Sequence, residues 1–130
     1  MATVTAHIGT AHYATTLRTA QHQLIADEPP EHGGGDTGFS PSELLAASLA
    51  ACTSITLRMY ADRKQWTLES AEVEVTVERD AAAKSTVFTR KIQLLGALDD
   101  EQRHRLLDIA NKCPIHQTLT QSITINTSLA

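Results

Sequence analysis

A chain of 130 residues is long enough to bury a real core in one domain without staples. Hydrophobic content of 42% and charged content of 20% are those of an ordinary soluble globular chain. A net charge of −4 and a pI near 5.8 argue against a nucleic-acid surface.

The opening segment, Met1 to Ala11, has neither a basic n-region nor an apolar h-region, and no apolar run approaches the roughly 18 residues that cross a bilayer. A cytoplasmic protein without a membrane partner is therefore expected. No repeat or linker divides the chain, so residues 1–130 read as a single domain. Thr3–Arg18 mixes β-branched and small residues and reads as a first strand region, with Gly9 as a bulge or bend. Thr19–His22 makes a turn, and Gln23–Ala26 a second short strand. Asp27–Gly38 gathers two prolines, four glycines and several acids, which is loop chemistry. A loop of that length in a compact domain is often functional.

Ser40-Pro41-Ser42-Glu43 is the clearest local signal. Ser40 is suited to the N-cap, Pro41 to the first helical position, and Glu43 to a capping box closed back onto Ser40. A helix is predicted from about Pro41 to Arg63. From Leu44 to Cys52 it is apolar or small on every side, the mark of a helix covered all round. Ser48, Cys52, Ile55 and Met59 fall on one stripe. Ala71–Arg79 alternates, with Val73, Val75 and Val77 on one face and glutamates on the other, as in a half-buried strand. Asp80–Lys84 turns the chain into a second strand, Thr86–Leu95. Asp99–Lys112 is a helix with acids in its first turn and Lys112 in its last, as the macrodipole prefers. Cys113-Pro114 breaks it and opens a short helix to Leu119. A strand over Ser122–Leu129 closes an α+β domain. One chain has little material to cover an all-apolar helix, so a homodimer sandwiching two such helices between sheets is expected.

A free cysteine is often only a small core hydrophobe, and Cys52 lies in the most apolar stretch. Cys113 ends the apolar face of Leu106, Ile109 and Ala110, yet its place before Pro114 also suits an N-cap, where a thiolate is favoured. Without a CxxC spacing they are a poor zinc set, even with His116 as a third ligand. No metal or cofactor is expected. Two thiols entering one core suit dithiol–disulfide cycling, the chemistry of peroxide reduction. His116 reads as a surface histidine, Gly33-Gly34-Gly35-Asp36 as a flexible loop rather than a phosphate cradle, and Trp66 as packing.

Gly38-Phe39-Ser40-Pro41-Ser42-Glu43-Leu44-Leu45-Ala46-Ala47, continuing to Ala51-Cys52, resembles the central-helix signature of the OsmC/Ohr family. Asn111-Lys112-Cys113-Pro114-Ile115-His116 resembles its second-cysteine segment. Thr56-Leu57-Arg58-Met59-Tyr60-Ala61 and Leu24-Ile25-Ala26-Asp27-Glu28-Pro29 look like the OsmC-like branch rather than the founding members. The resemblance implies an intertwined homodimer with long buried central helices packed against antiparallel sheets. It also implies thiol-dependent reduction of organic hydroperoxides, with Cys52 attacking, Cys113 resolving and an external dithiol reductant reopening the disulfide.

In that family an arginine and a glutamate assist the attacking thiolate, and the glutamate directly follows the helix-opening proline. Here that position is Ser42, and the carboxylate comes one residue later. Nine residues before Cys52, Glu43 points roughly to the opposite side of an ideal helix, so capping is its expected role. Arg18, the only upstream arginine, is the candidate for the arginine. A protein binding an apolar ligand in an interface cavity, with incidental cysteines, is the alternative. A purely structural dimer is a further one.

Overall fold

The computed structural model describes residues 1–130. The chain forms two compact units, Met1–Leu45 and Ala46–Ala130.

The first unit is a three-stranded antiparallel sheet, β1 (Thr5–Ile8), β2 (Thr15–Arg18) and β3 (Gln23–Ala26), in that order. The expected first strand region is thus two strands. The chain reverses between Gly9 and Ala14, and Thr5 pairs with Arg18. The turn after β2 closes where expected, with Thr19 N donating to His22 O. The following loop contains a short 3-10 turn, Pro30–His32, and returns alongside β3, where Ala26 bridges Phe39 in parallel. Two glycines make that return possible. A Cβ at Gly38 would collide with the Ile25 carbonyl, and one at Gly34 with the Glu28 carbonyl.

Helix α1 spans Pro41–Lys64. Its start is the expected capping box: Ser40 N donates to Glu43 Oε1 at 2.9 Å, and Glu43 N to Ser40 Oγ at 3.2 Å. The helix is long and apolar enough, by length and composition alone, to cross a membrane. This corrects the expectation that no run approached that size, because the alanines and Cys52 extend the apolar stretch between the leucines. A core helix passes the same test.

In the second unit, α1 buries Leu49, Thr53, Leu57, Tyr60 and Ala61, spaced as one helical face. The hairpin of β4 (Ser70–Asp80) and β5 (Ser85–Leu95) follows, with Val73 opposite Ile92, Val75 opposite Arg90 and Val77 opposite Phe88. Burial alternates along both strands as the valine pattern predicts. Helix α2 (Asp100–Ala110) has Asp99 as N-cap in a capping box with Gln102. It ends two residues before Lys112, which therefore does not lie in its last turn. Asn111 is the C-cap, and Cys113-Pro114 starts α3 (Pro114–Leu119). The core joins Leu57, Tyr60 and Ala61 to Leu68, Leu106, Ile109 and Ala110, with Trp66 packed against it.

Two expectations fail within the single chain. Residues 122–129 form no strand and stand exposed. The apolar helix is covered on one face only: 28% of its most apolar 18-residue window is buried, and Leu45, Ile55 and Met59 are exposed.

Candidate functional site

Cys52 and Thr53 are consecutive on α1, about 100° apart around the helix, so they face different surroundings. Cys52 is half-buried with a free thiol. It lines a cavity of about 650 Å3 with Ile55, Thr56, Met59, Tyr60 and Ile109, and with Arg63, Lys112 and Pro114. The expected stripe of Cys52, Ile55 and Met59 is thus a cavity wall. The wall is mostly apolar, with two cationic side chains.

Cys113 is free and fully buried, 0% exposed. It is the N-cap of α3, and His116 N donates to its Sγ at 3.3 Å. The Thr53 hydroxyl lies 3.9 Å from the same sulfur. The two thiols are therefore set on neighbouring elements. Pro114, next to Cys113, borders the cavity that Cys52 lines.

Sequence reasoning missed the residue that organises this junction. Arg90 extends from β5 and donates through Nη1 to Thr53 Oγ1 at 3.0 Å and to Ala110 O at 3.3 Å. Its Nη2 donates to Asn111 Oδ1 at 2.8 Å and to His116 Nδ1 at 3.1 Å. Arginine has no acceptor, so Nδ1 of His116 is the acceptor in this contact. His116 is half-buried and hydrogen-bonded, which corrects its reading as a surface residue. No group of three His, Cys, Asp or Glu side chains is assembled to hold a metal. The signal for Arg90 was the strand period: Phe88, Arg90, Ile92 and Leu94 alternate with exposed residues, which puts an arginine at an inward position.

The other two candidates belong to the first unit. Arg18 is exposed at the end of β2 and lines a cavity of about 810 Å3 with Met1–Thr5 and Thr19–His22. Glu43 is exposed, and its carboxylate closes the α1 cap.

The family model for OsmC-like proteins matches residues 33–128, and the chain belongs to that family. Among solved structures, it is similar to an OsmC-like protein from Mycoplasma pneumoniae, with 23% identity over 92% of this chain and 86% of that one, and a TM-score of 0.79. A candidate osmotic stress induced and detoxification response protein from Psychrobacter arcticus 273-4 is 25% identical over 91% of this chain and 88% of its own, with a TM-score of 0.78. The organic hydroperoxide resistance protein OhrB of Bacillus subtilis is 24% identical over 92% and 90%, with a TM-score of 0.63. These likenesses agree on a fold of helices with antiparallel sheets. No curated protein matches the chain.

Proposed function

We propose that the protein reduces organic hydroperoxides through Cys52 and Cys113, working as a homodimer with an external dithiol as reductant. The observation that carries this reading is a half-buried thiol in an apolar cavity whose wall includes the residue following a second, buried thiol. Membership in the family and the hydroperoxide-resistance name of the Bacillus subtilis relative support it.

An apolar wall favours an organic peroxide over hydrogen peroxide. The Cys52 thiolate attacks the terminal peroxide oxygen; the O–O bond breaks, an alcohol leaves after taking up a proton, and Cys52 becomes a sulfenic acid. The Cys113 thiol then displaces that hydroxyl as water, forming a disulfide. A dithiol restores both thiols by exchange and leaves as its own disulfide. Arg63 and Lys112 are the cations on the cavity wall.

Intact-mass spectrometry after one equivalent of cumene hydroperoxide tests the order. The wild type should lose two hydrogens, Cys113→Ser should gain one oxygen on Cys52, and Cys52→Ser should not react. If the two variants exchange behaviour, Cys113 is the attacking thiol. If the wild type keeps its mass, the dithiol reading fails. The cavity volume also suits a small apolar ligand. Binding that survives in the Cys52→Ser, Cys113→Ser double variant, without any peroxide consumption by the wild type, would establish that reading instead.

A further inference from the structure

The Thr53 hydroxyl has one hydrogen and, in the reduced protein, three neighbours. It donates to Leu49 O at 2.7 Å, accepts from Arg90 Nη1 at 3.0 Å, and lies 3.9 Å from Cys113 Sγ. A hydroxyl oxygen has two lone pairs. With the hydrogen on Leu49, both are available: one takes Arg90 and the other faces the Cys113 S–H. The assignment is complete for a thiol, and no buried side-chain nitrogen or oxygen lacks a partner. A thiolate keeps the His116 N–H at 3.3 Å as one donor and calls for a further donor where the thiol called for an acceptor. Arg90 cannot meet it directly, because both its terminal nitrogens already serve Thr53, Ala110, Asn111 and His116. Thr53 can, by turning its O–H from the Leu49 carbonyl to the sulfur. Leu49 O lies in the helix interior and is an ordinary intrahelical acceptor, so it is not left bare.

We propose that Thr53 is a positioning residue for the resolving step, a hydroxyl rotor that accepts from the Cys113 thiol and donates to its thiolate, with Arg90 holding its oxygen in place. This rests on the dithiol reading above. In the step itself the Cys113 S–H proton leaves with the hydroxyl of the Cys52 sulfenic acid as water. The S–O bond breaks and the S–S bond forms; Cys113 is oxidised, and Cys52 is reduced from the sulfenic to the disulfide level. The rotor lowers the cost of the thiolate in a fully buried site, where an unpaired charge is expensive. Its oxygen is polarised by the arginine, which makes its hydrogen a stronger donor. Thr53 touches the sulfur from the helix that carries Cys52 at the preceding position, so it also fixes the side of α1 from which Cys113 approaches.

The test separates the two chemical steps. Wild type, Thr53→Ser and Thr53→Val are mixed with one equivalent of cumene hydroperoxide. Peroxide loss is followed together with the fraction of Cys52 trapped as sulfenic acid by a dione probe. Thr53→Val is nearly isosteric and keeps the helix face, but has no hydroxyl. It should slow disulfide closure about tenfold more than it slows peroxide loss, the factor carried by one hydrogen bond to a charged acceptor. Thr53→Ser should close at a rate near that of the wild type, which a role in packing alone would not explain. Should Thr53→Val not fold, Thr53→Ala with Arg90→Lys carries the same comparison, both being expected to raise the trapped fraction. Equal closure rates in Thr53→Val and the wild type overturn the rotor while leaving the dithiol reading standing. A wild type that forms no disulfide overturns both.

Discussion

At the level of single residues, Asp27 shows how the first unit holds its long loop. The side chain is buried, yet its carboxylate accepts from the Thr37 hydroxyl at 2.6 Å and from the backbone N–H groups of Glu28, Thr37 and Tyr13. The Thr37 hydroxyl is the main cause that holds the carboxyl well below its ordinary value. Burial pushes the other way, and the backbone donors add to the lowering. Because the folded-state value is depressed, the stabilisation is complete above the ordinary carboxylate value of 3.8 and is lost as pH falls below it toward the folded-state value. Asp27→Asn brings an NH2 group among donors and should speed hydrogen exchange at the Thr37 and Tyr13 amides at pH 7. The gap between variant and wild type should narrow as pH falls from 3.8 toward the folded-state value, because the opened wild type then takes up a proton that the variant cannot. Identical exchange at pH 7 would show that the carboxylate does not tie the loop.

Among the elements, the start of α1 carries the most local information. Ser40 and Glu43 satisfy each other's backbone donors, and Ser40→Ala should cost about 1 kcal/mol of stability, measured by urea unfolding. Glu43→Gln retains an acceptor for Ser40 N and should leave peroxide turnover near wild type. Loss of turnover at unchanged stability would make Glu43 catalytic rather than structural. This cap was legible because its chemistry is contained in four consecutive residues. The hairpin was legible because Val73, Val75 and Val77 repeat with the strand period. Elements whose limits depend on distant partners were not. Lys112 suited a helix end by charge, but the chain leaves the helix at Asn111 so that Cys113 can cap α3. The network at Cys113 was equally hidden. Arg90, Thr53 and His116 are 37 and 26 residues apart, measured from Arg90. Nothing local to Thr53 distinguishes a rotor from a small helix residue, and an arginine at an inward strand position declares a polar core site without naming its partners.

For the whole molecule, the unmatched surfaces argue for a second copy. Ile55 is 55% exposed and Met59 67% exposed on the helix face opposite the one that packs on the core. The segment from Ser122 to Leu129 alternates as a strand does, with Ile123, Ile125 and Leu129 exposed and no strand paired to it. An exposed apolar helix face together with an exposed apolar segment is poorly suited to water. A homodimer would supply a cover for the first and a strand edge for the second. Light scattering at micromolar concentration should therefore give twice the chain mass of 14.1 kDa. Removal of residues 122–130 should weaken that dimer by about tenfold or more, since full burial of even one aliphatic side chain contributes ~1.5–3 kcal/mol. Full-length protein that scatters as a monomer would sink the dimer. A truncated protein that dimerises as tightly as the full chain would confine the interface to the helix face and leave the terminal segment outside it.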